Sequence, residues 1–588
     1  MKKIILLCTV VLLLLGLFAC GKGQELDTTE QENNGTNTGD ETMETYTICG
    51  HPINEYKILK SSGTADAVLV VRAAINEQAG VQLQTVSTMP ADGKVIRFVS
   101  DPHAPPAACR IYTDGEALVI ATFDADFLKQ SAEKFKALLE GGQKTFAAGF
   151  DRSVDFDRIA IADVPSSAKW KIIGDVDRDA ISYQKGDRAY LNLAVAAGGK
   201  IVDVPYFYVN TYSEGTGSSP VSGYMTSTNG ALSLRTDKMY KAGFYYWNVR
   251  ACDANRDTLS GIVENDMGYH FQGAAGFAID EIDGVTECPA DFDTFWYGIA
   301  DEIRNMELER VTFKRVSGQE GYVVYYVELR CGTDETGAPG VVSAYLSYPE
   351  WASSTHPVQL RIGFQGHGRN AASPSYYEST ATLEVCAHSI DSERFKSSES
   401  YRNEVYAHID VRFGFETANR ENMYFYQMIK RDLLGLRFLV EYCGQSGLNI
   451  WNGQDLIASG GSMGGFQAAV MAALAERTTG HNLSLLNLTK PWLCDTNAGS
   501  TSRRASAYCP DYDTTAVRYY DTLNFAHLIT CETTIYAGLG DSTCTASAMQ
   551  ALYRTLTCKK SITYEQNVSH NFGSQYSGTR YTMSEEAQ

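Results

Sequence analysis

The chain has 588 residues, 44% of them hydrophobic and 20% charged, and carries a formal net charge of −20 at pH 7. That length exceeds a single hydrophobic core and predicts about three or four domains. The acidic balance argues against nucleic acid or acidic membrane surfaces as partners, and is compatible with an uncharged substrate such as a polysaccharide.

Residues 1–20 form a targeting segment rather than structure: Lys2 and Lys3 precede an apolar run from Ile4 to Phe18, closed by Ala19-Cys20-Gly21. Leu17-Phe-Ala-Cys20 resembles the lipobox of bacterial lipoproteins, which implies lipidation at Cys20. Phe18 stands where a small residue is usual, so an ordinary signal peptide or an uncleaved anchor are the alternatives. No later stretch is long and apolar enough to span a bilayer. The expected location is therefore extracytoplasmic, at a bacterial membrane or cell surface through the N-terminal lipid alone, or secreted. Residues 21–46 are polar, acidic and poor in large apolar side chains, the composition of a flexible linker.

Residues 47–150 predict a small α/β domain. Strands are expected at Glu55–Leu59, Val81–Val86 and Lys94–Val99. Ala67, Val71 and Ile75 recur at helical spacing before Gly80, and Arg110–Thr122 is a hairpin turning at Asp114-Gly115. Asp124–Leu139 is an amphipathic helix. The segment resembles the small α/β domain beside the catalytic domains of α-glucuronidases and related carbohydrate-active enzymes, and carries no catalytic motif.

Residues 151–290 shift to short alternating strands, clearest at Ala189–Val195, Val204–Val209 and Phe244–Ala251, with Gly/Ser-rich breaks such as Ser213–Ser219. An immunoglobulin-like β-sandwich is expected. Tyr206–Tyr208 and Phe244-Tyr-Tyr-Trp247 invite a sugar-stacking role, but in strands such runs more often alternate between core and surface.

From residue 291 to 588 helical and strand patterns alternate, as in a parallel α/β sheet. Phe292–Glu307 is an amphipathic helix, and strands are expected at Tyr322–Arg330, Gly340–Tyr348, Val358–Phe364 and Ala407–Val411. Helix Tyr424–Gly444 then leads to an apolar strand, the turn Gly460-Gly-Ser-Met-Gly464 and an Ala/Met-rich helix. This matches the nucleophile elbow G-x-S-x-G, with Ser462 at its apex. The glycines make room for a tight turn and for the helix against the sheet.

A serine hydroxyl is a weak nucleophile and needs a base that a carboxylate orients. In the α/β-hydrolase fold the order is Ser, then Asp or Glu, then His. Thr533–Asp541 is a strand ending in an acid, and Ser561–Asn567 is another strand followed by His570, the only histidine after Asp541. Asp495, Asp511, Asp513 and Asp521 are rival acids, none directly after an apolar strand, and are expected at the surface or in turns. Of fourteen cysteines, twelve remain beyond Cys8 and Cys20, an even number that permits disulfides without demanding them. Cys494 and Cys531 lie in apolar stretches that suit buried thiols. No CxxC pair or His-rich cluster has ligand spacing, so neither a metal nor a cofactor is expected.

Residues from about 290 onward resemble the acetyl xylan esterase and cephalosporin C deacetylase family of α/β-hydrolases. The resemblance rests on Gly460–Gly465, Pro491-Trp-Leu-Cys-Asp495, Tyr519–Ala526, Gly538-Leu-Gly-Asp541, and Ala546–Tyr553 ahead of Ser569-His570. It implies Ser462 as nucleophile, Asp541 as acid and His570 as base. It also implies an oxyanion hole from the backbone N–H groups of Met463 and His367, the latter in Phe364-Gln-Gly-His367. The family's Asp-x-Arg-Gly-Gln is Asp410-Val-Arg412-Phe-Gly414 here, and its His-Glu is His570-Asn571. The activity implied is serine-dependent removal of O-acetyl groups from xylan or xylo-oligosaccharides. Alternatives are another ester such as a feruloyl ester, a peptide, or a non-catalytic polysaccharide-binding lipoprotein.

Overall fold

The protein is described from a computed structural model, over residues 45–214, 221–262, 264, 267–334, 337–409, 418–504, 515–571 and 578–587. The targeting segment with Cys20, nearly all of the acidic linker, most of the Ser213–Ser219 break and the Arg412 loop lie outside those residues. Among the described residues no helix is long and apolar enough to cross a membrane.

The first part of the chain builds a six-stranded sheet in which Val95–Ser100, Ala117–Thr122 and Ala108–Asp114 are central. Helices Ala65–Ala79 and Leu128–Glu140 bury Val71, Ile75, Ala132 and Phe135 against it. The first ends where Gly80 turns left-handed at φ 68°, as its sequence predicts. The 108–122 hairpin likewise turns at Gly115, φ 58°. Of Val81–Val86 only Thr85–Val86 is a strand. Asp151–Asp155 adds an edge strand beside Ala108–Asp114, carrying the sheet past residue 150.

Two smaller sheets follow. One has five strands, centred on Tyr190–Ala197. The other has four, in the order Ser222–Thr226, β1 (Tyr206–Ser213), β2 (Gly243–Cys252) and β3 (Phe271–Phe277). Leu191, Leu193 and Val195 of one sheet share a core with Phe207, Val209, Trp247 and Val249 of the other. Phe244, Tyr246 and Trp247 are all buried, so this aromatic run is interior rather than an open sugar platform.

The rest of the chain forms a ten-stranded sheet. Three antiparallel strands, Arg310–Arg315, Tyr322–Thr333 and Pro339–Pro349, flank a parallel core. That core runs β5 (Thr380–Val385), β4 (Val358–Phe364), β6 (Trp451–Gly461), β7 (Leu485–Thr489), β8 (Glu532–Gly538), β9 (Lys560–Glu565), and antiparallel Arg580–Glu585 closes it. α1 (Phe292–Asn305), α2 (Tyr424–Cys443) and α3 (Met463–Thr479) pack together beside it, while α4 (Ala546–Thr555) covers β8 and β9. The strand expected at Ala407–Val411 is not formed at its described start: Ala407 and His408 end a helix, Glu399–His408. Ser398 caps that helix by accepting from Tyr401 N–H at 3.2 Å, and Val405 anchors it in the interior. The described cysteines are free thiols, with Cys494 and Cys531 buried as their apolar flanks predict.

The sandwich-like sheets dock directly on this domain. Glu214, fully buried, accepts from Phe244 N–H at 2.9 Å on its own side, and from Arg504 N–H at 2.9 Å and Ser547 Oγ at 2.8 Å on the other. Burial pushes its carboxyl above the usual carboxylate range.

Candidate active site

Ser462 sits between the end of β6 and the first residue of α3, at φ 55° and ψ −122°. For a residue with a Cβ this is a strained conformation costing about 1–3 kcal/mol, kept only where the surroundings enforce it. The surroundings are backbone. Ser462 N–H donates to Thr489 O at 3.0 Å, and Ser462 O accepts from Gly465, Phe466 and Trp492 N–H at 2.9, 3.2 and 2.9 Å. A Cβ on Gly460 would run into the Gly464 carbonyl, and one on Gly464 into the Phe364 carbonyl. On Gly465 it would come 2.8 Å from Pro491 Cα. No flexible side chain can yield at these points, which is why the turn is written in glycine.

The residues that sequence order singled out meet here. His570 Nε2 lies 2.9 Å from Ser462 Oγ, and His570 Nδ1 lies 2.8 Å from Asp541 Oδ2. Asp541 is fully buried, and its other oxygen accepts from Thr543 and Cys544 N–H at 2.7 and 2.8 Å. A carboxylate acceptor at Nδ1 fixes the proton there and leaves Nε2 to accept from the serine hydroxyl.

Of the rival acids, Asp495 and Asp521 are not at the surface: both are fully buried and hold backbone, while it is Asp541 that bonds His570. Asp521 accepts from Asp495 and Leu523 N–H on one oxygen, and from Thr496 N–H and Oγ1 on the other. Burial, with Asp495 beside it, carries the Asp521 carboxyl up to about 6. Asp495 receives Val285 and Thr286 N–H at 2.9 and 3.0 Å and pairs with Arg503. Asp511 and Asp513 lie outside the described residues.

Met463 opens α3, so its N–H has no acceptor inside the helix. The loop after β4 runs beside it: a Cβ on Gly366 would be 3.9 Å from Ser462 Cβ. His367 follows in that loop, its ring 6.3 Å from that of Trp492. Burial, then the charge of His570, then Arg369, hold its imidazole below the ordinary histidine pKa. Three side chains that sequence reasoning missed secure these loops. Gln467 Nε2 donates to Gln365 O at 3.1 Å. His388 Nε2 lies 2.7 Å from Gly368 O, its other ring nitrogen against Tyr424 Oη. The buried ammonium of Lys490 holds the carbonyls of Ser569 and His570, the second at 3.0 Å. None of the three belongs to a motif: Gln467 and Lys490 lie just outside the Gly460–Gly465 and Pro491–Asp495 stretches, and His388 has no motif beside it. Asp541, Cys544 and His570 offer ligand atoms within 4.8 Å of one another, a spacing a metal ion could use, but Asp541 and His570 already bond to each other.

A parallel sheet with the serine on a strained turn between strand and helix, and the acid and histidine on later loops, defines an α/β-hydrolase. A family profile described as "Acetyl xylan esterase (AXE1)" matches residues 511–585, a span that includes Asp541 and His570. Acetyl esterase Axe7A of Xylanibacter ruminicola is 25% identical over 413 residues, covering 68% of this chain and 83% of that protein. Among solved structures, the acetyl xylan esterase from Paenibacillus sp. R4 is 16% identical with a TM-score of 0.39, over 50% of this chain and 94% of its own. Acetyl xylan esterase 1 from Thermoanaerobacterium sp. JW/SL YS485 is 18% identical with a TM-score of 0.39, over 51% and 94%. These matches indicate an esterase hydrolase that is similar to acetyl xylan esterases.

Proposed function

We propose that the protein removes O-acetyl groups from xylan or xylo-oligosaccharides through an acyl-enzyme on Ser462. The observation that carries this reading is the unbroken chain Ser462 Oγ, His570 Nε2, His570 Nδ1, Asp541 Oδ2, at 2.9 and 2.8 Å, on a strained elbow. His570 takes the serine proton as Oγ attacks the acetyl carbonyl carbon. Asp541 stabilises the imidazolium that forms, and the N–H groups of Met463 and His367 receive the oxyanion. Collapse breaks the ester bond, and His570 Nε2 gives its proton to the departing sugar oxygen. A water, deprotonated by His570, then attacks the acyl-serine and releases acetate. Each oxyanion donor lowers the barrier by about 3 kcal/mol.

Ser462→Ala should lower turnover of a chromogenic acetate and of acetylated xylan by about 10⁵–10⁶-fold. Equal rates for wild type and variant would overturn the assignment, and activity on feruloyl but not acetyl esters would move the substrate.

The same reading keeps the protein outside the cytoplasm, anchored by lipid on Cys20. It keeps residues 47–150 and 151–290 as accessory domains, the second an immunoglobulin-like sandwich. The core shared by the two small sheets supports the latter, while the pairing of Asp151–Asp155 with Ala108–Asp114 favours a boundary slightly later.

A further inference from the structure

The loop carrying His570 leaves β9 at Glu565; Gln566 N–H donates to Thr579 O at 2.9 Å beside the last strand of the hydrolase sheet, while the side chains of its first two residues are gripped by the sandwich. Gln566, 1% exposed, accepts Ala274 N–H on Oε1 at 2.9 Å and donates from Nε2 to Ala274 O at 3.1 Å. Its amide thus makes to β3 the pair of bonds that a neighbouring strand residue would make. The same Nε2 donates to Asp175 Oδ1 at 2.8 Å, and Asp175 Oδ2 accepts from Tyr581 Oη at 2.9 Å. Asn567 turns left-handed, φ 55°, and its Oδ1 accepts Gln272 N–H at 3.0 Å. The approach needs glycine on the sandwich side, because a Cβ on Gly273 would overlap Gln566 Oε1.

The acid loop meets the same strand. A Cβ on Gly540 would run into Gln272 O, and Gly540 N–H donates to Val568 O at 3.0 Å, joining the two loops next to Asp541 and His570. Lys490 holds the far end of the base loop at Ser569 and His570. The imidazole is therefore placed between a lysine of the hydrolase sheet and the backbone of β3.

We propose that β3 of the sandwich sets the position of the catalytic base, with Asn567 and Gln566 as positioning residues that transmit its register to His570. The accessory sheets then form part of the catalytic framework and are not an independent appendage. The inference rests on the Ser462–His570–Asp541 reading. A displacement near 1 Å at a catalytic group lowers the rate by about 10²-fold, so the clamp acts on turnover and not on substrate affinity.

The test uses the full chain and kinetics on a chromogenic acetate, with active sites counted by titration with a fluorophosphonate. Asn567→Gly keeps the left-handed backbone and removes the acceptor; Asn567→Asp keeps both. Gly273→Ala pushes on Gln566 from a residue far from the triad in sequence. The expected result is a fall in kcat per titrated site of about 10- to 100-fold for Asn567→Gly and Gly273→Ala at unchanged KM, with Asn567→Asp within about threefold of wild type. Wild-type kcat per titrated site in both Asn567→Gly and Gly273→Ala overturns the proposal. So does a loss confined to the number of titratable sites, or an Asn567→Asp variant as slow as Asn567→Gly. An inactive Ser462→Ala beside unimpaired Asn567→Gly and Gly273→Ala would reject the positioning role alone; an active Ser462→Ala would reject the catalytic reading beneath it.

Discussion

The proposed nucleophile and the proposed base of this site are held in opposite ways. Ser462 is fixed by its own neighbourhood: glycines at 460, 464 and 465, the Thr489 carbonyl on the adjacent strand, and the first turn of α3. His570 is fixed by distant chain. Gln566 bonds Ala274 and Asp175 across 292 and 391 residues, and Asn567 bonds Gln272 across 295. A locally built element tolerates change elsewhere in the molecule, whereas a remotely built one inherits the stability of whatever holds it.

Within this comparison, the largest expected effect probes the link between the halves. Asp541→Asn keeps the size of the buried group but presents an N–H₂ or a neutral oxygen to His570 Nδ1, favouring the wrong tautomer. A fall in kcat of about 10⁴-fold is expected. Stability should change little by comparison, and a kcat within tenfold of wild type would show that Asp541 does not orient the base. Next comes Gly464→Ala. Its Cβ meets the Phe364 carbonyl, so α3 must shift and carry the Met463 N–H with it. Unfolding measurements should show a loss of about 1–3 kcal/mol, and kinetics a further drop of about 10²-fold. If Gly464→Ala is harmless while the Asn567 variants are crippled, the elbow is the softer half and the comparison reverses.

This contrast also explains what could be read in advance. The elbow is legible because strand, turn glycines and helix are contiguous, and the Ser, Asp, His order is legible because chain order is a property of the fold. The remote supports left no local trace. Gln566, Lys490 and Glu214 look like ordinary polar residues until tertiary structure buries them. Asp495 and Asp521 misled for the same reason: without an apolar strand before them they suggest surface turns, yet each is wrapped by backbone donors. At Ala407 a helix cap at Ser398 and the burial of Val405 outweighed the strand-forming Ile409.

Acid should separate the two regions. His270 immediately precedes β3, its side chain fully buried, with Nδ1 accepting Ala251 N–H at 3.0 Å. Burial, then the Arg250 charge, lowers its pKa to about 4. The Glu264 carboxylate 3.5 Å from Nε2 works the other way, but it is partly in water and burial dominates. In the unfolded chain the same imidazole takes its proton near pH 6.5. Unfolded protein therefore binds a proton that folded protein refuses, so the stability from neutral His270 is whole above pH 6.5. It declines by about 1.4 kcal/mol per unit as pH falls to 4, about 3 kcal/mol in all, and then levels off. His270→Asn places Oδ1 where Nδ1 was, keeping the acceptor and removing the titration. Urea midpoints of the two proteins should diverge from pH 7 to pH 4, with wild type losing the more; parallel curves would rule out His270 as the acid-sensitive group. If β3 indeed places His570, the wild-type kcat should fall over the same interval faster than the variant's, because the strand that loosens is the one holding the base.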